Sequence, residues 1–139
     1  MPSANGISSI TSFKRRDYDI ILTLTGSTNF NVQYLNFIDS REFTGYVSQL
    51  SPQSAEMMKP NKFGRPEGAT VDDAGNIFIA DAEKDTVFKF NSFGDELQSF
   101  GGEEILKEPY AVAFFDRTLY VCDTGNNRIL RFILSTDLN

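Results

Sequence analysis

The sequence predicts an all-β chain assembled from repeated antiparallel sheets, and three observations carry that expectation. Its apolar runs, such as "IFIA" and "LYVC", are cut short by clusters of Gly, Asn and Asp, whereas helices need about ten residues of continuous periodicity. A unit recurs: Pro66 returns as Pro109 and Asp73 as Asp116, both 43 residues on, and Asp81 returns as Asp123 and Phe90 as Phe132, both 42 residues on. A period of roughly 40–45 residues with several strands per unit marks propeller blades. The expected architecture is a partial β-propeller of about three antiparallel blades.

In chain order, residues 1–16 form an N-terminal segment in which "ISSITSF" is a candidate strand. Residues 17–139 form a single propeller-type domain, divided into a divergent blade 17–62, a blade 63–106 and a blade 107–139. In the first blade strands are expected near 19–25 and 32–38, followed by a third in "REFTGYVSQL", and Leu35 and Phe37 occupy the places of Phe88 and Phe90. The long connection that follows contains "SAEMMK", enough for one helical turn. In the second blade "GATVDD" meets the turn formers Ala74, Gly75 and Asn76, then come "NIFIAD", "TVFKF" and "ELQSFGG". Strands are expected there near 68–73, 77–81, 86–91 and 96–100, and in the third blade near 110–115, 118–122 and 128–134. The third blade lacks its outer strand, because only five residues follow "RFIL". Continuous apolar runs such as "IFIA" and "LYVC" suit strands buried on both faces.

A three-blade arc leaves two apolar sheet faces at its ends. Ile21, Leu35, Leu119, Val121, Leu130 and Phe132 are expected on them. Two arcs about a two-fold axis would cover both faces as a six-bladed homodimer, with "ISSITSF" of one copy offered to the last blade of the other. The rival expectation is a fragment of a longer repeat chain.

Composition bounds the chemistry. The chain carries 13 Lys and Arg against 19 Asp and Glu, a net charge of −6. This disfavours nucleic acid as a partner, since phosphate neutralisation needs a basic surplus; the one basic cluster is Lys14, Arg15 and Arg16. With no His, zinc sites of the His type and Ser-His-Asp triads are excluded. The single cysteine, Cys122, excludes an internal disulfide and reads as a small core residue. No apolar run is long enough to span a membrane. No signal peptide is legible either, so the chain by itself is expected in the cytoplasm, or outside it if trimmed from a longer precursor.

"RPEGATVDDAGNIFIAD" and "LYVCDTGNNRILRF" resemble NHL repeats, a β-propeller family. The resemblance covers residues 63–102 and 107–134. It departs at "DAEKDTV", where Asp85 and Thr86 replace an Asn-Arg pair, and the later repeat lacks the full D-x-x-G-N turn. It implies a propeller with a binding surface and fixes no ligand, since fold does not fix function.

The strand-ending carboxylates Asp81 and Asp123 are the sharpest local signal. Each can fold back onto backbone N–H groups of its loop. In "DTGNN", Gly125 with Asn126 or Asn127 tolerates the left-handed conformation of a tight reversal, and Arg128 can pair with an Asp or a carbonyl of a neighbouring blade. Topology places these loops on one rim with Glu67, Glu83, Asp85 and Glu108, against Arg65, Lys84, Lys107 and Arg128. The binding candidates are Glu67, Asp81, Glu83, Asp85, Asp123, Asn126, Asn127 and Arg128. Their acidic lean suits a basic peptide, a cation or a polar saccharide. Asp81, Glu83 and Asp85 lack the glycine of a calcium loop. The adjacent Asp72 and Asp73 diverge on a strand end, so no catalytic carboxylate pair is expected. Lys89 and Arg131 read as charges snorkelling from the third strand.

The function expected is a non-catalytic binding module for a protein or peptide, with self-association and no cofactor. The alternative is an enzyme on the same scaffold, a metal-dependent hydrolase or lyase.

Overall fold

The computed structural model describes residues 6–13, 18–25, 31–48, 50–51 and 54–134. The basic cluster Lys14, Arg15 and Arg16 and the last residues, 135–139, lie outside them. Eleven strands form three antiparallel meanders, and no α-helix occurs among the described residues. The first sheet runs β1 (Ile7–Ser12), β2 (Ile20–Leu24), β3 (Val32–Asp39) and β4 (Thr44–Ser48). The middle sheet runs β5 (Pro66–Val71), β6 (Ile77–Asp81), β7 (Thr86–Phe90) and β8 (Glu96–Gly101). The last has three strands, β9 (Pro109–Phe115), β10 (Thr118–Asp123) and β11 (Arg128–Ile133).

The "ISSITSF" strand is used at home. It pairs antiparallel with β2, Ile10 opposite Leu22 and Thr11 opposite Ile21. That overturns its expected loan to another copy, because a strand hydrogen-bonded in its own sheet is not available to a second one.

The turns follow local chemistry. Asp72, itself buried, accepts hydrogen bonds from the Ala74 N–H at 2.9 Å, the Asn76 N–H at 2.8 Å and the Asn76 side-chain amide at 3.1 Å. This closes the β5–β6 hairpin with Gly75 at a φ of 89°. The long connection contributes a single 3-10 turn, Glu56–Met58, which inserts Met57 and Met58 into the core beside Phe63.

The sheets stack face to face, and two hydrophobic clusters lie between them. Ile21, Val32 and Tyr34 of the first sheet meet Ile77, Ile79, Phe88 and Phe90 of the middle one. On its other side the middle sheet sets Phe78, Ala80 and Val87 against Leu119 and Val121, with Leu130 and Phe132 packed alongside. All five residues of β6 are buried, whereas burial in β10 alternates. The middle strand has a neighbour on both faces and the last has one.

This parity corrects several expectations. Ile21, Leu119, Val121, Leu130 and Phe132 lie in the two buried clusters or against them, not on the bare ends. Strand alternation turns each of them towards the middle sheet. Leu35, two positions from Phe37 and opposite Ile20, does face away from it. Cys122 is half-buried because among the described residues no sheet packs on its side of β10. Lys89 is buried, its ammonium 5.5 Å from the centre of the Phe78 ring, because the last sheet covers that face. Arg131, one sheet later, remains exposed.

The innermost strands converge where side chains are smallest. A Cβ on Gly68 of β5 would run into the Tyr110 carbonyl and the Ala111 backbone of β9. Gly68→Ala is therefore expected to push two backbones apart and to cost about 1–3 kcal/mol, measured by denaturant titration against wild type. An unchanged midpoint would show that β5 and β9 are not held this close.

Candidate rim site

The strand-ending carboxylates act as clasps. Asp81 is fully buried at the end of β6 and accepts four backbone hydrogen bonds. Two come from the connection entering β5, Gly64 at 2.8 Å and Arg65 at 2.9 Å. Two come from its own loop, Glu83 at 3.1 Å and Lys84 at 3.2 Å. One side chain thus binds the segment before its blade to the loop between β6 and β7.

Asp123 repeats the arrangement with other donors. It accepts from the Lys107 N–H at 2.7 Å, the Asn126 amide at 2.9 Å and Arg128 Nε at 2.7 Å. Arg128 also donates from Nη2 to the Ile105 carbonyl at 2.7 Å. The partner of Arg128 is therefore the Asp of its own blade, with a carbonyl from the connection that precedes it. Burial opposes the charged carboxylate, yet the Lys107 N–H, Asn126 and Arg128 together hold Asp123 below its ordinary pKa.

The left-handed residue of "DTGNN" is Asn127, with φ 52°, and Asp85 holds the equivalent place with φ 53°. Gly125 serves a different need: its N–H donates to the Lys107 carbonyl at 2.7 Å, and a Cβ there would strike Lys107. Asp85 also reaches the next blade, accepting from the Glu108 N–H at 2.9 Å.

A second group, nearer the inner strands, ties all three sheets together. Ser8 of β1 donates to Glu67 at 2.7 Å, and Glu67 pairs with Arg65 Nε at 3.1 Å. Arg65 Nη2 reaches Glu108 at 3.3 Å and the Tyr110 hydroxyl at 3.1 Å, with the guanidinium 5.5 Å from the Tyr110 ring centre. Tyr110 and Ser8 are absent from the sequence-based candidates. The repeat held the signal: "RPE" at residues 65–67 aligns with "EPY" at 108–110, so neighbouring blades present opposite charges at one position.

Of the candidates, Asp123, Asn126 and Arg128 come together in one group, Glu67 joins the inner network, and Asp81 and Asp85 serve the loop backbones. The Glu83 side chain lies outside these groups, beside Gly64. Among the described residues no three His, Cys, Asp or Glu side chains converge as a metal-binding group.

No family model matches the chain, and no curated protein matches it. Solved structures do, among them six-bladed β-propeller proteins. A luciferin-regenerating enzyme aligns at a TM-score of 0.58 and 16% identity over 83% of this chain and 36% of its own. Virginiamycin B lyase from Staphylococcus aureus aligns at 0.57 and 14% identity, over 93% of this chain and 41% of the lyase. A gluconolactonase from Xanthomonas campestris aligns at 0.57 and 15%, over 87% and 36%. At such identities the likeness establishes the propeller fold alone, and the chain spans well under half the length of these relatives.

The clasps make two measurable predictions. Asp81→Ala strands four donors and is expected to cost about 3 kcal/mol, and Asp123→Ala about 2 kcal/mol. Melting temperatures should fall by several degrees, and wild-type melting of both variants would rule the clasps out. Because the folded pKa of Asp123 is depressed, its stabilisation is present above the unfolded value, about 3.9, and is lost as pH falls through the folded one. The stability gap between wild type and Asp123→Asn should therefore shrink in acid below about pH 4. A constant gap would place the carboxylate charge outside the clasp.

Proposed function

We propose that the chain is a non-catalytic, NHL-type propeller module whose rim binds a protein or peptide, without a cofactor. One observation carries this reading. The strand-end carboxylates Asp81 and Asp123 are occupied in holding loops, while an Arg–Tyr pair, Arg65 and Tyr110, stands partly exposed between two blades. Arg and Tyr are the side chains that protein-binding surfaces concentrate, and rigid loops suit them to recognition. Glu67 and Glu108 beside the pair favour a basic side chain on the partner.

A second reading is a metal-dependent hydrolase or lyase on the same scaffold, or a fragment of a larger NHL-repeat protein. What favours it is the naming of two structural neighbours as a lyase and a gluconolactonase.

The readings separate by experiment. A panel of Lys- and Arg-rich peptides is titrated by fluorescence anisotropy, in parallel with lactone hydrolysis assays containing added divalent cations. The binding module predicts a saturable peptide complex weakened at least about tenfold by Tyr110→Ala, with the strand-type circular dichroism retained and no turnover. Turnover without peptide binding would favour the enzyme. Nucleic acid is expected to bind no tighter than about tens of micromolar at physiological salt. A submicromolar, sequence-selective RNA complex would overturn that part of the reading.

A further inference from the structure

We infer that the two bare faces of the arc fit one another, and that a second copy of this chain covers both, closing a ring of six blades. The inference rests on the propeller fold and is independent of any rim ligand.

Two buried contacts between sheets use the same pair of positional sets. The middle sheet presents Phe78, Ala80 and Val87 to the last sheet, which answers with Leu119, Val121, Leu130 and Phe132. The first sheet presents Ile21 and Tyr34 to the middle sheet, which answers with Ile77, Ile79, Phe88 and Phe90. Each sheet thus has a presenting face and an answering face.

Among the described residues, the ends of the arc leave one of each kind uncovered. On the last sheet Tyr120, Cys122 and Ile129 stand where Phe78, Ala80 and Val87 stand in the middle one. This is a presenting face, and Ile129 on it is 68% exposed. On the first sheet the pair Ile20 and Leu35 stands where Ile79 and Phe88 stand, with Phe37 in the place of Phe90 and Leu22 one step further along the same face. This is an answering face, and Ile10, paired with Leu22, is 65% exposed. Apolar faces of this extent are seldom left bare on monomers.

Even the charge on the presenting face has a precedent. Lys89 lies over Phe78 inside the covered contact, and Arg131 lies opposite Tyr120 in the equivalent pair of strands. A guanidinium on a tyrosine face can be covered in the same manner.

The occupant follows from order and angle. A presenting face needs an answering face, so the last sheet of one copy seats on the first sheet of another. The structural neighbours close with six blades, and three sheets turn through half of such a ring. Two copies therefore close it about a two-fold axis, with two identical contacts and no bare face left over.

Light scattering on the purified chain at tens of micromolar should give twice the chain mass, without peptide present and in Tyr110→Ala alike. Failure of the rim reading would leave that mass unchanged. Ile129→Asp and Ile10→Asp, both at exposed positions, should each raise the dimer dissociation constant at least about tenfold with the strand-type circular dichroism retained. Mixing the two variants should recover dimer, because one of the two contacts is then intact. Leu22→Cys should form an interchain disulfide with the native Cys122, abolished in Leu22→Cys/Cys122→Ser. A folded wild-type monomer at this concentration would overturn the inference and leave further blades of a longer chain as the cover. Crosslinking of Cys122 to Cys122 in the wild-type dimer would also overturn it, since it requires two presenting faces to meet.

Discussion

Burial of the middle sheet between two others is the constraint on which this molecule depends. A strand of five residues cannot make a core by itself, and a single meander has one layer only. Stacking converts both faces of the middle sheet into interior, so that all of β6 is withdrawn from water. Burial on both faces removes any place for polar residues along the strand, which is why "IFIAD" carries its only charge at the end. That terminal Asp81 then organises the rim by collecting four N–H groups. Packing and loop geometry are thus joined at one residue: the strand brings the carboxylate inside, and the unpaired donors of two loops keep it there.

The rim shows how one scaffold position takes different solutions. Asp81 is served by backbone alone, whereas Asp123 recruits Asn126 and Arg128. Asp85 and Asn127 share a left-handed backbone, but only Asp85 is seen to clasp the following blade. The inner network from Ser8 through Glu67 and Arg65 to Glu108 and Tyr110 crosses all three sheets. It sits where the inner strands draw together, so the exposed part of the Arg65–Tyr110 pair rests on a stiff base. Such a base lowers the ordering cost of recognition.

Much of the fold was legible because period and strand length are local properties. The repeat of Pro66 at Pro109 and Asp81 at Asp123, with the turn "DAGN", was enough to place the strands in three antiparallel sheets. The clasp role of Asp81 was half legible: its own loop was foreseeable, while the reach to Gly64 and Arg65 requires knowing that the preceding connection returns to the same rim. Side-chain direction was less legible. Leu119 and Leu130 are apolar in either orientation, and only strand register against a neighbour decides which face they join. Lys89 misled for a related reason, since its charge implies solvent until a covering sheet is known. The Arg65–Glu108–Tyr110 group was written in the aligned "RPE" and "EPY", but its meaning needs two blades read together.

Because every sheet carries the same two kinds of face, the unit of change in this architecture is the whole blade. Adding or removing one complete repeat exchanges one equivalent contact for another and leaves the chemistry of all remaining contacts as it was. A partial repeat has no such neutrality: an odd number of inserted strands reverses chain direction, and a single inserted residue exchanges the two faces of everything along that strand. Growth of such a chain by tandem duplication is therefore quantised in steps of 42–43 residues, and length variation between those steps is confined to the connections, as the longer segment before β5 and the shorter one before β9 already illustrate.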